Sequence, residues 1–317
     1  MEAGYLLDIL QVMKTRKVYP GEVHHVCQQT VNKVLVFYSV SDYLVFFTVF
    51  CTIARRFGVQ VLALCPMVDH IHCVLLVQDE KSLSRFVHEY TRLYAHLWNE
   101  SRGRKGPLFK HRFMSAVKMG NKQIRTTLCY NYNNPVERKM VQRAEAYRWN
   151  FLSYARNDAP FSAPLIEQEA SWVLRGILRE ARSLRQQEKY LSYALLKRWE
   201  KKLDAIEYQQ LVDYIIGTWN VIDYGTAMAY YGNYDAMLRA FHDNTGSEYD
   251  IKEDRDNYSD AVYADCNRIL KKEVGLSDPC AIFGLPVEQK TALFRLLGIR
   301  TTATPRQLCK YLHYNAV

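Results

Sequence analysis

No Cys-x-x-Cys pair occurs among the eight cysteines, at 27, 51, 65, 73, 129, 266, 280 and 309, which argues against zinc-finger and disulfide frameworks. Most lie inside apolar segments, as reduced buried thiols do. Also missing is the run of about 18 uncharged apolar residues that a membrane helix needs. The nearest stretch, 34–53, is interrupted by Asp42. The start, Met1-Glu2-Ala3-Gly4-Tyr5, lacks a basic segment leading into an apolar core and cleavage site, so the expected location is cytoplasmic with no membrane partner. Acidic residues are absent from 101–136, where eight Lys or Arg (102, 104, 105, 110, 112, 118, 122, 125) stand unopposed.

That local absence belongs to a wider asymmetry. Residues 1–154 hold 21 Lys+Arg against 11 Asp+Glu, and residues 155–317 hold 21 against 22, so the net charge of +9 arises in the first half. A basic domain joined to a neutral one points to a polyanionic partner, because phosphates reward clustered cations by releasing counterions. Phe109, Phe113, Tyr130 and Tyr132 interleave with the charges of 101–136, a composition suited to single-stranded nucleic acid, whose bases stack while its phosphates pair.

The 317 residues suffice for two domains of ordinary size, at about 100 to 200 residues each. After a turn at Pro20-Gly21, the pattern predicts a strand from 23 with a polar break at 28–33. A helix over 43–57 follows, capped by Asp42 and closed by Gly58. Strands at 59–65 and 70–77, a helix from Ser82, a short strand at 113–117 and a helix from Lys122 ended by Pro135 complete an α+β unit, an antiparallel sheet with helices packed on it. The polar, proline-bearing 156–164 reads as a linker. Beyond it, 165–317 reads as an all-α domain with a helix-turn-helix candidate at 286–314, and the acidic 243–260 as a solvated loop. The tryptophans, Trp149 and Trp172 among them, are assigned to packing.

Within the α+β unit, His70-Ile71-His72 carries the sharpest chemical signal. Side chains alternate along a strand, so both imidazoles share one face while Ile71 buries opposite, an arrangement that can present a metal ion. One of His24 and His25 faces the same side, with a structural role expected of both, and His111 falls to nucleic acid rather than metal. Farther on, Tyr130 and Asn134 are four residues apart and share a helix face, while Tyr132 points elsewhere. Two imidazoles and an amide oxygen suit Mg²⁺ or Mn²⁺ with coordination positions left for phosphate oxygens.

Four blocks in order resemble the REP-associated tyrosine transposases of the HUH single-strand endonuclease superfamily. The run from Met67 to Leu76 resembles their MPNHxHLLL block, and Gly106 to Phe113 their GxLFQxRF block. Tyr130 to Val136 resembles YIHLNPV, and Tyr147-Arg148-Trp149 resembles YxWSS. Asp69 stands where the family usually has Asn. The resemblance spans roughly 20–155. It implies an HUH/ferredoxin-like nuclease domain over 1–155 with His70, His72 and Asn134 as ligands of Mg²⁺ or Mn²⁺ and Tyr130 as nucleophile. It also implies transposition through a 5′-phosphotyrosine on single-stranded or hairpin DNA. The unopposed cations Arg102, Arg104, Lys105, Lys110, Arg112, Lys118, Lys122 and Arg125 are, by their charge, the expected DNA contacts. Small transposases of the superfamily can share active sites between subunits, which makes a homodimer an expectation too. The alternative is a domesticated nucleic-acid-binding protein that keeps the fold without cleavage.

Overall fold

A computed structural model describes residues 19–251 and 258–314. Four strands, β1 (Val23–Gln29), β2 (Gln60–Pro66), β3 (His70–Leu76) and β4 (Met114–Lys118), form one antiparallel sheet in the order β2-β3-β1-β4. Helices α1 (Val40–Phe57) and α2 (Glu80–Ser101) cover one face, where Val26, Ile71, Cys73 and Leu75 join their core. Helix α3 (Gly120–Glu137) covers the other, through Leu128 and Tyr132 against Val23, Ala63 and Val74. The expected α+β sheet with packed helices is therefore present.

Two local details differ from the sequence reading. Ser39, not Asp42, is the N-cap of α1: its side chain accepts from the Asp42 backbone N–H while the Asp42 carboxylate accepts from the Ser39 N–H, a capping box. Gly58 closes the helix at φ 62°, the left-handed conformation that favours glycine. Pro135, expected to stop α3, instead lies inside its last turn, and the helix runs on to Glu137. A proline removes one N–H and disfavours helical geometry before it, yet Asn134 and Pro135 are themselves buried and the turn stays helical.

The second half is helical, as expected: α4 (Trp172–Gln186), α5 (Tyr193–Glu200), α6 (Ala205–Trp219), α7 (Tyr224–Ala229), α8 (Tyr234–Asp243), α9 (Val262–Ile269), α10 (Val287–Arg300) and α11 (Pro305–Leu312). It does not build a separate core. Every residue from Asp42 to Ala54 of α1 is buried, because the sheet lies on one side of that helix and α5 and α6 on the other. Leu191, Trp199, Ile215 and Trp219 share one apolar cluster with Phe46, Phe50 and Tyr90. The 156–164 segment is pinned as well, the Phe161 N–H donating to Asp213 at 3.0 Å. Trp172 departs from the packing role and is 77% exposed.

The helix pair α10–α11 forms, but the apolar face of α11 (Leu308, Tyr311, Leu312) sinks into the shared core. The Tyr38 hydroxyl donates to the Tyr311 carbonyl at 2.6 Å, fixing α11 against the start of α1. Among the described residues no helix is long and apolar enough to cross a membrane.

Candidate active site

Strand register decides which histidines meet. Cys27 pairs with His72 and His25 with Val74, so His25, His70 and His72 project from the face that α3 covers, with Lys118 of β4 opposite Val23 on that face too. His24 projects to the other face and is buried there. The His70 and His72 rings lie 4.8 Å apart between centroids, and α3 lays the Tyr130 ring edge-on to both His72 and His25, at 5.8 Å each. Residues from β1, β3 and α3 thus converge on one spot.

Each imidazole of the pair is anchored through Nδ1. His70 Nδ1 lies 2.6 Å from Asp69 Oδ1, and His72 Nδ1 lies 3.0 Å from His25 Nε2. The Asp69 carboxyl is held below its usual range: burial works to raise it, but His70, Lys310 and Arg138 outweigh that. Asn134 is buried one turn beyond Tyr130, and its side-chain amide donates to the Tyr130 carbonyl at 3.0 Å, which leaves Oδ1 as its acceptor atom. Among the described residues no group of three His, Cys, Asp or Glu side chains is arranged to hold an ion. His70, His72 and Asn134, the side chains expected to take an ion, offer two ring nitrogens and one amide oxygen.

The acidic stretch brings a residue that sequence reasoning missed. Glu248, read as part of a solvated loop, is buried, its Oε2 bonded to His25 Nδ1 and its Oε1 2.8 Å from Lys118 Nζ. Burial would raise its carboxyl, yet His25 and Lys118 bring it down to about 2. Two residues earlier, Gly246 presses on α3 at φ 79°, where a Cβ would stand 2.3 Å from the Tyr130 backbone nitrogen. Asn133 and Cys129 complete the seam by donating to the Asn244 carbonyl. The loop is a lid on α3, and nothing in local composition signals a partner 223 residues away.

The basic residues divide into two groups. Arg102 is a correction: its guanidinium is 3% exposed, paired with Asp42 and packed over Trp98 at 4.3 Å, so its charge serves the interior. Lys118 is a second, buried between Glu248 and Asp250. Both are claimed by carboxylates distant in sequence, which a count of local charges does not register. Lys105, Lys110, Arg112, Lys122 and Arg125 are exposed, and Arg104 partly so. A cleft of about 1380 Å³ runs between α2 and the β4 edge, lined by Arg92, Phe109, Lys110, His111, Arg112 and Phe113.

Residues 17–134 match the family model described as transposase IS200 like. No curated protein matches the sequence. One solved structure similar to it is described as the REP associates tyrosine transposase bound to a REP hairpin, with 17% identity, coverage of 44% of this chain and 84% of that one, and a TM-score of 0.39.

Proposed function

We propose that the chain is a divalent-metal-dependent single-strand DNA endonuclease and strand transferase working through a covalent 5′-phosphotyrosine on Tyr130. The observation that carries this reading is the edge-on placement of the Tyr130 ring against His72, across 58 residues of chain and from a different element. Packing alone favours apolar partners at such a position. A phenol set edge-on to two imidazoles, those of His72 and His25, supports a chemical role for it.

His70, His72 and Asn134 would hold Mg²⁺ or Mn²⁺, which would withdraw electron density from the scissile phosphate and so help a phenol, a weak nucleophile near neutrality, to attack it. In the step assigned to Tyr130, its oxygen attacks phosphorus in line. The bond from phosphorus to the 3′-oxygen breaks, and the proton lost by the phenol ends on that oxygen as a free 3′-OH. The phosphodiester is conserved in the tyrosine ester, so a later 3′-OH can reverse the step and join strands without ATP. His70, His72, Tyr130 and Asn134 expose at most 4% of their surface, so the strand enters only with local opening around them. Lys110, Arg112 and Phe113 along the cleft supply cations and a stacking surface for a single strand leading to a hairpin.

The test is incubation of a hairpin-bearing single strand with the full chain and Mn²⁺. A covalent protein–DNA adduct is expected, lost in Tyr130→Phe. Its persistence in that variant overturns the assignment, and tight hairpin binding without nicking under any divalent ion favours the non-cleaving alternative.

A further inference from the structure

We propose that Glu248 is a positioning residue for the metal site, acting through His25 to fix the tautomer of His72. The inference rests on reading His72 as a ligand, and it assigns the job to a residue from the helical half of the chain.

The argument follows protons along a chain of three side chains. Glu248 Oε1 is fully engaged: it accepts from Lys118 Nζ at 2.8 Å and from the backbone N–H groups of Asp250 and Ile251 at 2.8 and 3.2 Å. Those bonds pin the carboxylate and turn Oε2 toward His25 Nδ1. An ionised carboxylate only accepts, so Nδ1 of His25 must carry the proton. The Lys118 ammonium already balances the Glu248 charge, so His25 is taken as neutral, and its other nitrogen is then an acceptor. His25 Nε2 therefore accepts from His72 Nδ1 across their 3.0 Å contact. With its proton on Nδ1, His72 presents Nε2 as a lone pair, the form that binds a metal.

His70 reaches the same state by a shorter route, its Nδ1 donating directly to Asp69 at 2.6 Å. The two imidazoles are thus set alike, one by an adjacent carboxylate and one by a carboxylate 176 positions later relayed through His25. Gly246 allows the relay, since its lack of a side chain lets the loop seat against Tyr130 and carry Glu248 to depth.

Two substitutions of nearly the same size separate this role from packing and from charge. Glu248→Met fills the space without an acceptor, whereas Glu248→Gln loses the charge but keeps an oxygen that can accept from His25. Mn²⁺ is titrated into the EDTA-stripped full-length chain, free ion being read by electron paramagnetic resonance. Histidine tautomers are read separately, without metal, from long-range ¹H–¹⁵N spectra. Glu248→Met is expected to weaken Mn²⁺ binding by about 10- to 100-fold and to move His72 toward the Nε2–H form. Glu248→Gln is expected to stay near wild type in both. A folded Glu248→Met protein that binds Mn²⁺ like wild type overturns the proposal, and so do equal losses in the two variants, which would assign the effect to charge. Failure of wild type to bind Mn²⁺ would instead strike the metal reading itself, while the tautomer spectra would still decide the relay.

Discussion

Lys310 of α11 places its Nζ 3.7 Å from Oδ2 of Asp69, whose other carboxylate oxygen holds His70. A helix from the last turn of the chain thus reaches the carboxylate beside the histidine pair. The Glu248 loop arrives from another direction, against His25 and Tyr130. The helical half is built into the histidine-bearing face of the sheet at two points.

Two tyrosines on α3 should behave differently. Tyr132 is fully buried and its hydroxyl donates to the Leu62 carbonyl at 3.3 Å, so Tyr132→Phe should cost about 1 kcal/mol of stability and leave adduct formation intact. Tyr130→Phe should remove the adduct. Denaturant melts beside a gel assay of covalent complex check both, and loss of adduct in Tyr132→Phe would move the nucleophile.

The buried and exposed basic residues separate in the same way. Arg102→Met should destabilise the fold by about 3–5 kcal/mol, since it strands the Asp42 carboxylate in the interior. Arg112→Ala should weaken hairpin binding and lower the salt slope by about one. Binding isotherms at several salt concentrations, beside thermal melts, distinguish them.

Gly246→Ala should loosen the loop that carries Glu248. The left-handed backbone and the lack of room for a Cβ beside the Tyr130 backbone both oppose a side chain, for a cost of about 1 kcal/mol or more. Faster amide exchange across 244–251 by mass spectrometry is the expected readout, and unchanged protection would refute the packing described.

His313 gives the chain an acid-sensitive joint. Burial lowers its pKa from 6.5 to about 4, with the Leu35 carbonyl opposing and Arg104, Lys290 and Arg102 assisting. A folded value below the unfolded one means the unfolded chain binds the extra proton. Stability is therefore lost as pH falls from about 6.5 toward 4. Urea unfolding across that window should show a shallower slope in His313→Gln.

Much of the fold was legible because its signals are local. The alternation around His70-Ile71-His72 placed both imidazoles on one face, and helical patterning located α2 and marked 165–317 as helical. Helix ends were harder: Asp42 was seen as an important capping residue but assigned one role, when its carboxylate serves Ser39, Arg102 and the Tyr193 hydroxyl together. What could not be read was pairing across distance. Arg102 and Lys118 look like free surface charge in sequence, Glu248 like one of several solvated acids, and His25 like one of two equivalent histidines. Only strand register and the folded path of the helical half tell them apart. The shared core was hidden for a related reason, since the polar 156–164 segment marks a break in composition while α1 is buried on both sides.

That double burial constrains how the protein can be handled. A fragment ending near residue 155 would leave the outer side of α1, with Leu191, Trp199 and Trp219 removed, as a broad greasy stripe in water. Such a fragment would self-associate instead of reporting on catalysis. Any lineage that trims or exchanges the carboxy-terminal helices must therefore redesign α1 in the same stroke, which ties the evolution of the two halves together.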